Sequence, residues 1–443
     1  MFALQLRISI AYNQSGVMKI LSLHIENYKC HNNSVIPHIS DFYTLIGRNS
    51  SGKTSILEAC ELVKYFPENV PDVREKVFGD IPSNQTKEIT IKILVELSGE
   101  ERKKYLNSYL GLSIRLDDLP NLKDLFLKAS LTYSITVGAD GVPNRTFYNS
   151  MILTAMEISD SVGNMRSLVS ESDRANKLVE VGELSTVRPA DVEHIDAYLR
   201  TEMTRSSPIG AYDHHRSDKI SSFFYYNFTQ DFKTKLIYLK AMRTSEKKVP
   251  PRYRVGLDDT GRDLINSIYT MYNNDNKRFQ EVADVCRKIF PDIIDIHPEL
   301  SPDDKVTILI TKYNLNNKPI KFSHEASGFE QILIIIWRIA ISEPGTILLV
   351  DEPELHLHPG AQQILYEFLK QECKNGKQII IATQSMVFMH NSKLDEVSVV
   401  LNNLAGTYVA QLGLVNEEED ADTLSAYDKI RSMIYDALGY SSL

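Results

Sequence analysis

The stretch Gly47-Arg48-Asn49-Ser50-Ser51-Gly52-Lys53-Thr54 constrains this chain more than any other. It follows the apolar run Phe42-Tyr43-Thr44-Leu45-Ile46. It precedes a helical pattern in which Ile56, Leu57, Ala59, Cys60, Leu62 and Val63 supply one buried face. The order is strand, glycine loop, helix. Gly47 and Gly52 let the backbone wrap closely round phosphate oxygens with N–H groups pointing inward. The helix that begins near Lys53 offers its positive end to the same phosphates. Lys53 is expected to reach the β- and γ-phosphates, and the Thr54 hydroxyl to hold Mg²⁺. The next residue, Ser55, joins the candidate nucleotide-binding set. The alternative, a chance match in a Gly/Ser turn, is disfavoured by the strand before it and the helix after it.

With 443 residues the chain has room for roughly two to four domain-sized units. The formal charge of −9 excludes a uniformly basic nucleic-acid coat but leaves room for a local basic patch. Cys30, Cys60, Cys286 and Cys373 are far apart and show no C-x-x-C spacing. A disulfide framework or zinc site is therefore not expected, and a reducing cytoplasm fits better. No secretory signal is evident. The longest apolar run, Ile332 to Ile341, is interrupted by Arg338 and is too short to span a bilayer. The first strand pattern begins only at Met18, so residues 1–17 are read as an extension or a misassigned start.

Leu21, Leu23 and Ile25 alternate with polar residues, as in a half-buried strand. Asn27-Tyr28-Lys29 follows and has two readings: a basic and aromatic pair beside the base or phosphates, or a strand end with a snorkelling lysine. Residues 67–82 are loop-like. Ile89 to Leu97, Ala129 to Val137, and a third segment after the turn at Gly138-Ala139-Asp140-Gly141 read as strands of an antiparallel sheet. From about residue 150 to 290 the pattern is mainly helical. Asp191 to Met203, Ser222 to Met242, Leu264 to Met271 and Phe279 to Ile289 all carry apolar residues at helical spacing. No heptad pattern persists, so a long coiled coil is not expected. The cluster Phe223-Phe224-Tyr225-Tyr226 reads as buried helix packing before a contact surface.

Val306 to Thr311 reads as a strand. Ser327-Gly328 then starts the apolar helix Ile332 to Ile341, either as an anion-binding N-terminus or as an ordinary N-cap. Ile347-Leu348-Leu349-Val350 reads as a central parallel strand ending in Asp351-Glu352, at the edge where open α/β sheets bind ligands. Asp351 is expected to orient the Mg²⁺ shell and Glu352 to activate water against the γ-phosphate. His356 and His358 lack a further partner nearby in sequence, so a structural metal is not expected. Gln378 to Ala382 is a further buried strand, and the Gln384 amide beyond it is placed to sense the γ-phosphate. Val397 to Leu401 and Thr407 to Leu412 read as a final hairpin. Glu417 to Asp422 is a solvated acidic loop, and Ala426 to Leu438 a last helix.

Together these motifs resemble ABC-type ATPase heads, and among them the OLD-family (overcoming lysogenization defect) proteins and their RecF-like, SMC-related relatives. The resemblance covers residues 18–66 and 320–412 well and the middle poorly. It assigns Gly47 to Thr54 to the Walker A motif, Ser327-Gly328 with Glu330 to a shortened signature motif, and Ile347 to Glu352 to Walker B. Glu354 to Pro359 corresponds to the D-loop of the OLD-like branch. Gln384 stands where many relatives have a switch histidine, and Gln85 is the nearest counterpart of the Q-loop glutamine. The implied architecture is an α/β P-loop NTPase of ABC-ATPase type, with an accompanying antiparallel sheet and a mainly helical insertion. The implied divisions are 18–150, 151–300 and 301–443. The resemblance implies ATP and Mg²⁺ as cofactors. It also implies a head-to-head dimer, or a higher oligomer of dimers, in which Ser327 of one subunit completes the site containing Lys53 of the other. OLD-family proteins continue into a Toprim nuclease. This chain ends at Leu443 with no such cluster of carboxylates. The expectation is therefore a cytoplasmic ATPase switch with an effector nuclease in trans, as in PARIS-type anti-phage systems. The alternative is a RecF-like DNA-repair clamp, with Arg243, Lys247, Lys248, Arg252 and Arg254 as its basic stretch. A transporter ATPase subunit is disfavoured by the shortened signature, by Gln384 and by the large middle insertion.

Overall fold

A computed structural model describes residues 18–64, 89–96, 126–135, 150–159, 165–167, 231–241, 245–246, 248–253, 261, 263–313, 318–322, 327–403 and 406–411. The expected loop at 67–82, the turn at 138–141, the helices at 191–203 and 426–438, the aromatic cluster at 223–226 and the acidic run at 417–422 lie outside these residues.

In chain order the strands are β1 (Lys19–Tyr28), β2 (His31–Ile36), β3 (Phe42–Ile46), β4 (Ile89–Glu96), β5 (Phe126–Ile135), β6 (Ser150–Ser159) and β7 (Met165–Ser167). They continue with β8 (Leu236–Leu239), β9 (Ile293–Ser301), β10 (Lys305–Lys312), β11 (Pro319–Lys321), β12 (Ile347–Asp351), β13 (Gln378–Thr383), β14 (Val397–Asn403) and β15 (Gly406–Gln411). The helices used below are α1 (Lys53–Lys64), α2 (Leu264–Asn274), α3 (Asn276–Ile289), α4 (Ser327–Ile341), α5 (Pro359–Lys374) and α6 (Met386–Asn391).

By compactness the chain divides into two units. The smaller comprises 1–19, 95–130 and 153–228, and the larger 20–94, 131–152 and 229–443. The central sheet belongs to the larger unit and runs β15-β14-β3-β13-β12-β8. Four of its five pairings are parallel, and the β14–β15 hairpin closes the edge antiparallel. A second six-stranded sheet runs β2-β1-β4-β5-β6-β7, and β9, β10 and β11 form a small antiparallel sheet. The α/β class expected from the sequence is present, and the strands expected at 89–97 and 129–137 fall in the second sheet.

The central strands read as unbroken apolar runs because both faces are covered. Every residue of β3, β8, β12 and β13 is buried. Helix α4 is apolar around its whole circumference, with Ile332 to Trp337 and Ile339 all buried. Such a helix needs cover on every side, and the same core joins it to α2, α3, α5 and the inner face of the sheet. The Trp337 indole N–H, inside that core, donates to Ser267 Oγ at 3.2 Å.

One segment differs from its sequence reading. Ser222 to Met242 carries apolar residues at helical spacing, yet among its described residues helix is found only at 231–235 and the chain then becomes β8. Leu236-Ile237-Tyr238-Leu239 pairs in parallel with Ile347 to Val350. Four consecutive apolar residues fit a doubly covered strand as well as a helix, and tertiary pairing decides between them. Among the described residues no helix is long and apolar enough to cross a membrane.

Candidate active site

Parallel register brings three chain segments to one edge. Asp351 lies level with Ala382 on the neighbouring strand, and Thr383 lies level with Ile46 on the next. The residues that follow, Gly47 after β3, Glu352 after β12 and Gln384 after β13, therefore emerge side by side at the carboxyl ends of adjacent strands. Strand spacing of about 4.8 Å makes them neighbours.

The loop from Gly47 to Thr54 is held from both sides through its carbonyls. The Lys53 ammonium folds back and donates to the Gly47 and Arg48 carbonyls, both at 2.8 Å. On the outer side Asn402 donates to the Ser50 carbonyl at 3.4 Å, and the Thr407 hydroxyl to the Ser51 carbonyl at 3.0 Å. The buried His31 ring holds the Gly52 carbonyl at 3.0 Å. With these oxygens occupied, the loop presents less negative charge to an incoming anion. Gly52 has φ +105°, and a Cβ there would stand 2.8 Å from Cys30 Sγ and 2.9 Å from His31 Nε2. A Cβ on Gly47 would stand 2.4 Å from the Val400 carbonyl oxygen and 2.6 Å from Ser51 Oγ. No side chain fits at either position. Ser50 takes a left-handed turn at φ 62°. Arg48 and Asn49 are exposed, and Ser55 lies in the first turn of α1.

Thr54, exposed at the start of α1, donates its hydroxyl to both oxygens of Asp351, at 3.2 and 3.0 Å. Asp351 is buried, and it also accepts from the Tyr238 hydroxyl of β8 at 3.5 Å. The site thus places a hydroxyl and a carboxylate together, the hard oxygen donors that Mg²⁺ prefers. Burial holds the Lys53 ammonium below its usual range, while Glu352, Asp351 and Glu354 pull it back up. A cation so placed gains from an additional anion.

Glu352 has φ 47°, a left-handed conformation for a side chain bearing a Cβ. Its backbone N–H donates to the Ala382 carbonyl at 2.8 Å, which fixes the bend at the sheet edge. Backbone held in this region costs on the order of 1–3 kcal/mol and persists where the surroundings enforce it. Gln384 lies directly across from it. Its side-chain amide donates to Glu352 Oε1 at 2.9 Å and also to Asn49 Oδ1 of the glycine loop. Its backbone N–H donates to Glu354 Oε1 at 2.8 Å.

The structure therefore brings together Gly47, Arg48, Asn49, Ser50, Ser51, Gly52, Lys53, Thr54, Ser55, Asp351, Glu352 and Gln384. Of Ser327-Gly328, the glycine lies against the 354–359 segment. A Cβ on Gly328 would stand 2.7 Å from His356 Cβ, so the start of α4 packs on the 354–359 segment of its own chain. His358 caps α5, its Nδ1 accepting from the Ala361 N–H at 3.3 Å. Tyr28 is buried and Lys29 pairs with Glu58 at 2.6 Å, so this turn fastens β1 to α1 and leaves no aromatic face open for a base. Sequence reasoning named Glu354 only as the start of the D-loop segment, and passed over Tyr238 and His31. The signal for Glu354 was a third carboxylate within four residues of Asp351. His31 and Tyr238 had no local signal.

The family model of the AAA ATPase domain matches residues 18–388. No curated protein matches the sequence. Among solved structures, the SMC head domain from Thermotoga maritima is 15% identical at a TM-score of 0.39, covering 89% of this chain and 100% of that one. The Smc head domain with an extended coiled coil, bound to the C-terminal domain of ScpA and derived from Pyrococcus furiosus, is 13% identical at a TM-score of 0.43. That match covers 94% of this chain and 100% of the other.

Proposed function

The chain belongs to the AAA ATPase domain family and is an ATPase, and from that premise we propose that it works as an ATP-driven dimeric switch controlling a separate effector. The observation that carries this reading is the meeting of the glycine loop, Asp351, Glu352 and Gln384 on one sheet edge. ATP phosphates lie in the Gly47–Thr54 loop, with Lys53 turning from the loop carbonyls towards the β- and γ-phosphates. Thr54 and Asp351 fit Mg²⁺ and would hold it. Bound there, the ion would neutralise charge on the phosphate oxygens. Glu352 orients a water and takes its proton as the water oxygen attacks the γ-phosphorus and the bond to ADP breaks. Gln384 joins Glu352 to Asn49, so the catalytic carboxylate is tied to the loop that would hold the nucleotide.

Ser327 and Gly328 complete this reading in trans. The close approach of Gly328 to His356 of its own chain supports a position beside the 354–359 segment. A second subunit would bring its own α4 start against the bound γ-phosphate, so ATP would close the dimer and hydrolysis reopen it. In the division into 18–150, 151–300 and 301–443 the flanks form the head, and β8, α2 and α3 of the middle segment pack with them. The resemblance to OLD-like and PARIS-type ATPases supports an anti-phage role with a Toprim-type nuclease as the effector, in the cytoplasm. In the basic stretch that the DNA-clamp reading relies on, Lys248 is paired with Asp303 at 2.7 Å.

The test is the native mass of Glu352→Gln with Mg-ATP, purified from its own host. A stable dimer, or a multiple of it with a second protein, is expected. A monomer at every nucleotide concentration sinks the switch. A dimer that carries DNA and no other protein moves the function to the repair clamp.

A further inference from the structure

We propose that Glu354 is a positioning residue for hydrolysis, gripping the carboxyl end of β13 so that the Gln384 amide stays aimed at Asn49 and Glu352. This rests on the reading of Glu352 and Gln384 given above and extends it to a residue outside the nucleotide contacts.

Three observations meet at this side chain. Glu354 Oε1 accepts the Gln384 backbone N–H at 2.8 Å, and the Thr383 hydroxyl lies beside the same carboxyl group. Thr383 Oγ1 in turn accepts the Ser385 N–H at 2.9 Å. One carboxyl group therefore holds the chain at Gln384, and Thr383 holds the next residue, just where β13 ends and α6 has yet to begin. The Gln384 side chain, so based, reaches Glu352 and Asn49. Without the anchor, the residues between β13 and α6 would be free to turn and the amide would lose both partners together.

The second oxygen fits an anchor better than a charge. Glu354 Oε2 is buried with no hydrogen-bond partner. A full carboxylate charge there is poorly solvated, and leaving it so is costly. Burial pushes the acid up, and Glu352 adds repulsion in the same direction. The charged groups facing it are Glu352 on its own segment and Lys53 from α1. What the site uses is one acceptor oxygen in a fixed place, which a glutamine carbonyl also supplies. Proline at 353 stiffens the link between Glu352 and Glu354, so the two carboxyl groups keep their separation.

The experiment is a double-mutant cycle on ATP turnover with Glu354→Ala and Gln384→Ala, alongside Glu354→Gln. Glu354→Ala is expected to lower kcat about tenfold at unchanged KM, and the double variant to fall no more than about twofold further than the slower single variant. Glu354→Gln is expected to restore kcat to within about threefold of the parent. Full additivity of the two alanine losses overturns the proposal. So does a Glu354→Ala enzyme that keeps its kcat, or one that loses only KM. Failure of the underlying reading shows separately: Glu352→Gln then turns over ATP at the parent rate.

Discussion

Thr54 and Asp351, 297 positions apart in the chain, share a two-point contact in which one hydroxyl bridges both carboxylate oxygens at 3.2 and 3.0 Å. One residue opens α1 and the other closes β12, so the bond joins the two halves of the candidate site across the central sheet. A hydrogen bond to a charged group contributes about 1.5–3 kcal/mol. Thr54→Ala should therefore raise the Mg²⁺ concentration for half-maximal ATPase by about tenfold or more, while Thr54→Ser keeps it near the parent value. A Mg²⁺ titration of turnover checks this, and equal midpoints for alanine and serine would remove Thr54 from the ion's shell.

Cys30 should be the first thiol to react. Burial raises its pKa, but hydrogen bonds from His31 and Thr407 outweigh this and bring it to about 7. Burial pushes Cys60 and Cys286 up to about 12, and Cys373 higher still. Cys30 is also the one of the four that is not fully buried. The thiolate is the nucleophile, so alkylation of Cys30 should speed up as pH rises through about 7 and level off above it. Peptide mass mapping after brief iodoacetamide treatment at a series of pH values reads this directly. Modification spread evenly over the four cysteines would contradict it.

How far these features were legible varies with how local their cause is. The Gly47–Thr54 loop, β12 with Asp351-Glu352, and β13 with Gln384 follow from short patterns in which spacing and chemistry agree. Helices α2 and α3 were legible for the same reason. Strand β8 was not, because Leu236 to Leu239 satisfies helical and strand spacing alike and its identity depends on pairing with β12. Strand β9 gave no clean alternation: His297 and Pro298 interrupt it, and its register comes from β10. The grip of Glu354 on Gln384 spans 30 positions and arises only when β12 and β13 lie side by side. The tie between His31 and the Gly52 carbonyl is equally long-range.

A buried charge cluster fastens the far end of α4. Lys377 donates to the Ile339 carbonyl at 2.7 Å and pairs with Glu372, while Arg278 reaches the Ala340 carbonyl at 3.1 Å and Glu372 at 3.2 Å. Both carbonyls belong to the negative end of the helix, where cations are favourable. Removing one partner of a buried pair leaves an uncompensated charge and costs about 3–5 kcal/mol. Lys377→Met should therefore lower the urea midpoint sharply. Adding Glu372→Leu, which removes the stranded carboxylate, should recover part of the loss. A single variant as stable as the parent would show the cluster to be energetically neutral.

The strongest test of a shared site uses two defects in different subunits. Lys53→Ala should abolish nucleotide hold, because the ammonium lies against the Gly47 and Arg48 carbonyls of the glycine loop. Ser327→Arg should leave nucleotide binding intact but block closure, since Gly328 beside it packs on His356 of its own chain and not on the loop. Each variant alone is expected to be inactive. In a mixed dimer one composite site would pair an intact Lys53 with an intact Ser327, and the other would carry both lesions. Isologous pairing makes this arithmetic unavoidable. Mixing the two inactive proteins should therefore restore turnover, rising to a maximum at equal concentrations. Activity that never returns on mixing, with both proteins shown to exchange subunits, would mean that each chain hydrolyses ATP on its own and that α4 contributes nothing across an interface.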